Sequence, residues 1–193
     1  MSIKVESPLN QIDLSSLAAS ESLQVTELPF RGYVIVRGSS SHAAFTGACA
    51  SVLGAELPTE ANTKVEAEKG EVLWYGPDEW LIVTPDHAVE ALIAELQSAL
   101  TDVHSSVVDI SGGNTMIEVA GPQARALLAK GTPFDLHASV FQLGQCAQTV
   151  LAKTAATIYP VTDGNAFRVI FRRSFADYLG VWLLDAAREF VQD

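Results

Sequence analysis

LWYGPDEWLIV, residues 73–83, consists of two apolar runs broken by Gly76-Pro77-Asp78-Glu79. Proline pre-sets the backbone angle that the second position of a tight turn requires, so the spacing predicts two strands, 71–76 and 79–84, folded back as a hairpin. The stretch holds two of the chain's three tryptophans. Alternate side chains share a face of a strand. Val72, Trp74 and Gly76 thus face one way on the first strand, with Leu73 and Tyr75 opposite. On the second strand Trp80 and Ile82 share a face, with Leu81 and Val83 opposite. Both faces are apolar, which suits a strand pair covered on both sides rather than a wetted surface. One cover is expected to be the chain's own helices, the other its second half or a partner. Trp74 and Trp80 are therefore expected to be mostly buried, and the hairpin to serve packing rather than ligand binding.

Working outward, YVIVRG (33–38) alternates like a strand, and SSSHAAFTGACASVLG (39–54) opens on serines and stops at Gly54, as a helix does. After the hairpin, Val89, Leu92, Ile93, Leu96 and Leu100 fall on one stripe of a helix over 87–100. The same pattern then recurs. VHSSVVDISGG (103–113) crosses over as a strand, NTMIEVAG (114–121) is a strand, and PQARALLAKG (122–131) is a helix with Pro in its first turn and Gly past its end. Residues 148–161 and 166–174 flank TDGN (162–165) as a second hairpin, and 174–191 is a long amphipathic helix. Gly38 lies over Gly121, and Trp80, Ile82 and Val83 lie over Phe167, Val169 and Ile170. The repeat is one of pattern, with almost no identity. It predicts an α+β fold of two ferredoxin-like βαββα halves with antiparallel sheets under helices. The halves are expected at 23–102 and 103–193, behind a Ser-rich tail at 1–22 whose Leu9, Ile12, Leu14 and Leu17 dock on a larger subunit.

Twenty-three acidic and 12 basic residues give a net charge of −11. That charge repels phosphate backbones and anionic membrane surfaces, so neither nucleic acid nor membrane is an expected partner. No segment has the apolar length of a signal peptide or a membrane span, which makes the cytoplasm the default location. Cys49 and Cys146 are too few for a disulfide framework and are expected as reduced, partly buried thiols.

Few segments of the chain carry a pattern that chemistry would need. SGGN (111–114) precedes a strand instead of a helix, TDGN is ordinary turn chemistry, and RGSSSH (37–42) lacks both the lysine of a phosphate loop and the GxGxxG fingerprint. Helix capping by its serines accounts for RGSSSH better than anion binding. His42, His87, His104 and His137 show no metal spacing. Asp109, at a strand end, has the position of a catalytic base but suits a carboxylate that accepts turn amides. Cys49, Cys146 and Ser111 have no oriented base in the pattern. Arg168, Arg172 and Arg173 are the densest basic cluster, and either solvated strand charges or a protein interface explains them.

LWYGPDEWLIV, VVDISGGNTMIEVAGPQARALLAKGTPFDL and RVIFRRSFADYLGVWLLDAAREF together resemble the γ subunit family of heterotetrameric sarcosine oxidases, over roughly residues 25–190. The same segments bear a weaker likeness to the N-terminal part of folate-binding aminomethyltransferases, such as the T-protein of the glycine cleavage system. The resemblance implies a subunit of a complex that oxidatively demethylates sarcosine to glycine. Hydrogen peroxide is produced, and the one-carbon unit passes to tetrahydrofolate or leaves as formaldehyde. It implies α, β and δ partner subunits that hold FAD, FMN, NAD, the folate site and zinc. In this chain it implies no catalytic, cofactor-binding or metal residue. The alternative is a free-standing folate-binding aminomethyltransferase-like protein. Against it, the KGCYxGQE signature of the related folate-dependent iron–sulfur maintenance proteins is absent, and no C-terminal β-barrel follows the last predicted helix. A third reading is an unrelated adaptor on a duplicated ferredoxin-like fold.

Overall fold

A computed structural model describes residues 5–18, 21–162 and 164–191. Among them the order is α1 (Ser15–Ala18), β1 (Gln24–Glu27), β2 (Arg31–Gly38), α2 (Ala43–Leu53), β3 (Lys64–Ala67), β4 (Gly70–Gly76), β5 (Glu79–Pro85) and α3 (Val89–Ala99). There follow β6 (Ser105–Asp109), β7 (Asn114–Ala120), α4 (Ala124–Ala129), β8 (Ala147–Leu151), β9 (Thr154–Val161), β10 (Ala166–Arg172) and α5 (Ala176–Val191). These elements fall into two compact units.

The first unit, Phe30–Gly112 with Gly144–Cys146, is built on the opening hairpin. Its antiparallel sheet has the order β3-β4-β5-β2-β6. Leu73 pairs with Leu81 and Trp74 with Trp80, and an irregularity between Trp74 and Gly76 lets the chain close through Gly76 and Glu79. Val72, Trp80 and Ile82 join Val34, Val36, Phe45, Cys49, Leu92 and Leu96 in one core under α2 and α3. The Trp80 indole is fully buried, tilted against Phe45 at 5.6 Å between ring centres. Its Nε1–H donates to the Pro58 carbonyl at 2.7 Å, so the ring's one polar atom is satisfied inside the core. Leu73 and Leu81, on the other face, are buried as well. Trp74 is only half-buried.

α2 ends as its sequence predicts, with Gly54 in the left-handed region (φ 75°) returning its N–H to the Ala50 carbonyl. Its start differs. His42 is the N-cap and makes no side-chain cap bond. The serines lie one turn earlier, because His42 N donates to Ser39 O, and the Ser39 and Ser41 hydroxyls bond each other at 2.9 Å.

The second unit holds the residues up to Pro29, Gly113–Leu143 and those from Ala147 on. Its sheet has the order β1-β7-β10-β9-β8. Ile117, Val119, Phe167 and Val169 pack with Leu127, Leu128, Leu179 and Leu183 in its core. The segment 148–161, predicted as one strand, is two. It turns at Ala152-Lys153, where Ala152 takes a positive φ of 54° and donates its N–H to Gly131 O at 2.8 Å.

The pseudo-repeat holds: β2-α2-β3-β4-β5-α3 is echoed by β7-α4-β8-β9-β10-α5, with Val36 beside Trp80 as Val119 is beside Phe167. The unit boundary runs differently from the predicted 102/103 division. The fifth strand of each sheet comes from outside its own repeat. β1 pairs with β7 (Gln24 opposite Ala120), which carries residues 23–29 to the second unit. β6 pairs with β2 (Val34 opposite Asp109), which carries 103–112 to the first. Gly144–Cys146 joins the first unit through Lys64 N to Gly144 O and Cys146 N to Asn62 O.

The predicted docking tail is also corrected. Residues 5–18 form a strap in which Leu9 and Leu17 are buried in the second unit's core, and Ile12 and Leu14 pack against that core. α5 accepts the strap at Gly180, where a Cβ would stand 2.9 Å from Ile12 Cγ1 and 3.1 Å from Leu9 Cδ2. Glu27 ties it down by accepting from Ser7 Oγ at 2.6 Å and Leu9 N at 3.3 Å, and it also accepts from Thr115 Oγ1.

Candidate functional site

Asp109 ends β6, and its Oδ1 accepts the Ser111 N–H at 2.8 Å and the Ser111 hydroxyl at 2.5 Å. Ser111 Oγ in turn accepts the Tyr33 N–H at 2.9 Å, and Ile110 N donates to Tyr33 O. Asp109 and Ser111 together thus fasten the end of β6 back to β2. In SGGN, Ser111–Gly113 form a short 3-10 turn and Asn114 opens β7. In TDGN, Asp163 lies outside the described residues.

Both thiols are buried. Burial pushes the Cys49 thiol up to about 12. It pushes Cys146 to about 11, against the lowering effects of a hydrogen bond to the Trp74 backbone and of the nearby Lys64 charge. A thiol so raised is protonated at neutral pH and is a poor nucleophile or metal ligand. His42, His87, His104 and His137 are exposed, and among the described residues no cluster of His, Cys, Asp and Glu has the makings of a metal site. His137 Nδ1 bonds Ser139 Oγ at 2.7 Å within its own loop.

RGSSSH opens on a shallow polar cleft lined by Arg37, Ser39, Ser40, Asp78, His104 and Ser106. Its guanidinium is already matched, with Arg37 Nε donating to Glu79 Oε2 at 2.7 Å, and Asp78 stands on the same rim. The cleft is therefore poorly suited to an anion.

Of the basic cluster, Arg168 faces Glu118 across the β10–β7 ladder at 3.3 Å, the solvated-pair alternative. Arg172 closes β10, and Arg173 begins the 3-10 turn before α5. Both are exposed. The arginine with the most structural work was not singled out from sequence. Arg125 on α4 donates to the carbonyls of Leu136, Phe141 and Gly164 and lies over the Phe167 ring at 4.8 Å. Burial lowers its pKa. A cation inside the apolar run ARALLA was the one available signal.

What α5 leaves uncovered includes large apolar side chains among the charged Asp177, Asp185, Arg188 and Glu189. Leu179, Leu183 and Ala187 face the core, while Phe175, Tyr178 and Val181 are 42%, 39% and 59% exposed. Tyr178 and Val181 line a groove with Trp182 and Leu184, edged by Asp177 and Arg188. Such a face fits a protein surface better than a small polar substrate. Among the described residues no helix is long and apolar enough to cross a membrane.

Residues 37–189 match the family described as "Sarcosine oxidase, gamma subunit family". A sarcosine oxidase subunit gamma of Corynebacterium sp. (strain P-1) is 33% identical over 172 residues, covering 89% of this chain and 83% of that one. One from Arthrobacter sp is 34% identical, covering 85% and 79%. A chain of the heterotetrameric sarcosine oxidase from Corynebacterium sp. U-96, solved in complex with pyrrole 2-carboxylate, superposes with a TM-score of 0.86 at 27% identity, over 98% of this chain and 97% of that one. The aminomethyltransferase T of the glycine cleavage system from Bartonella henselae shares the fold, with a TM-score of 0.67 at 13% identity over 89% of this chain and 48% of that one.

Proposed function

From the membership of this chain in the sarcosine oxidase gamma subunit family, which makes it a subunit of that oxidoreductase, we propose that its part in the enzyme is structural and non-catalytic. In this proposal the chain assembles in the cytoplasm with α, β and δ subunits. These carry FAD, FMN, NAD, the tetrahydrofolate site and zinc, and the complex demethylates sarcosine to glycine with peroxide production. The observation that supports the reading is the fate of the reactive groups: Asp109 and Ser111 are tied to each other in a turn, and both thiols are raised by burial. A side chain that holds a backbone turn is not poised to move a proton to a substrate.

The test is Asp109→Asn in the assembled four-subunit enzyme. Sarcosine-dependent peroxide production per complex is expected to stay within about twofold of the wild type. A fall in kcat of about a hundredfold or more with the complex intact, the scale of a lost general base, would make the residue catalytic and overturn the reading. Stoichiometric tetrahydrofolate binding by the isolated chain would instead favour the transferase alternative.

A further inference from the structure

The duplication supplies an internal control for α5. α3 and α5 occupy the same place in the two repeats, and each lays one apolar stripe on its own sheet. Their outer faces should look alike if both met only water. On α3 the exposed positions are Glu90, Ala91, Ala94, Glu95, Gln97, Ser98 and Ala99, with no large apolar side chain among them. On α5 and the turn before it, Phe175, Tyr178 and Val181 are exposed, with Trp182 and Leu184 half-buried alongside. The difference follows neither from helix formation nor from core packing, since both helices already have a complete inner stripe. It marks the outer face of α5 for burial by something else.

Charge selects what that is. A second copy would bring together two chains of net charge −11 each, and the face itself offers no basic surplus to offset them. Arg188 is paired with Asp185 at 3.3 Å, and Glu189 with Lys130. Asp177, beside Tyr178 in the first turn, has no ion pair among the described residues. The face therefore calls for a different protein that is apolar at its centre and cationic opposite Asp177. Building on the oxidase assembly proposed above, we infer that the outer face of α5 docks another subunit of that enzyme. The docked surface is apolar and carries a Lys or Arg against Asp177.

The chain, tagged and co-expressed with the other three oxidase subunits, tests this through Val181→Asp, Asp177→Lys and the matched control Ala94→Asp on α3. All three positions are exposed, so the melting temperature of each isolated variant should stay at the wild-type value. Val181→Asp is expected to reduce recovery of the partner subunits by about tenfold or more, as for a charge placed in an interface centre. Asp177→Lys should weaken recovery in low salt and less so in high salt, and Ala94→Asp should change nothing. Wild-type recovery with Val181→Asp, or an equal loss with Ala94→Asp, overturns the assignment of α5. A wild-type homodimer by size-exclusion chromatography that Val181→Asp dissolves, with partner recovery intact, makes the occupant a second copy and overturns the proposed one. If the wild-type chain recovers no oxidase subunit, the assembly reading itself fails, an outcome distinct from the loss of this surface alone.

Discussion

Replacing Trp80 by Ala and, separately, by Phe divides the hairpin's contribution into two parts. The ring is fully buried against Phe45, in a core bounded by Val36, Ile82 and Leu96. Truncation to Ala removes that packing, leaves a cavity, and strips the Pro58 carbonyl of its donor at 2.7 Å. Large-to-small changes of this kind cost about 3–5 kcal/mol. Phe keeps most of the ring but not the N–H, so its cost should be dominated by the unsatisfied buried carbonyl, about 1–3 kcal/mol. For a chain of this length each kcal/mol corresponds to roughly 2–4 °C in Tm, giving a drop of about 6–20 °C for Trp80→Ala. Urea unfolding followed by circular dichroism, with the m-value checked for constancy, measures both variants. Trp80→Ala within about 1 kcal/mol of the wild type would refute the core assignment. A Phe variant as damaged as the Ala variant would show that the hydrogen bond outweighs the ring.

The strap is expected to be part of the fold: Leu17→Ala should destabilise the isolated chain by about 2–5 kcal/mol in the same urea titration, whereas a docking tail would leave the midpoint unmoved. The thiols give a pH signature. Their folded-state values of about 12 and about 11 lie above the ordinary 9.0, so the unfolded chain binds fewer protons between these limits. Their stabilisation is then whole below pH 9 and is lost as the pH rises through that window. Cys49→Ala should flatten the alkaline limb of a plot of stability against pH, and an unchanged limb would contradict this. Arg125→Met should leave the Leu136, Phe141 and Gly164 carbonyls without their donor and speed proteolytic nicking in the 132–146 loop, which native-gel and mass analysis of the fragments would show.

The hairpin was legible because apolar residues on both faces of strands 71–76 and 79–84 can be satisfied only by burial on both sides, and Pro77-Asp78 marks the turn. α3 was legible through a complete stripe from Val89 to Leu100. The break at Ala152 was not, because Ala152-Lys153 carries no turn residue and the positive φ is imposed by the bond to Gly131. β3 was hidden in the charged run KVEA, as befits an edge strand with one ladder to fill. The strap hid for a different reason: Leu9, Ile12, Leu14 and Leu17 lie on one short helical turn and the coil before it, too little for any period to emerge. Neither edge-strand assignment leaves a mark in the residues, because backbone ladders form with almost any side chain. The turn role of Asp109 was legible, since it does what a carboxylate before Ser-Gly-Gly ordinarily does. The exposed face of α5 could not be read from sequence, because Tyr178 and Val181 look like core residues until the helix has a direction.

The pairing of β1 with β7 also imposes an order of events on the growing chain. Gln24 meets Ala120, so the N-terminal strand is synthesised roughly 90 residues before the strand that receives it, an interval of about 5–20 s on the ribosome. During that interval Phe30–Gly112 can pair all five of its own strands, while Leu9, Leu17, Leu23 and Val25 have emerged with no sheet to join. The last described element to complete their core is α5, which is made after every strand of that sheet. The strap and β1 must therefore wait for β7 and α5 before their apolar side chains are covered.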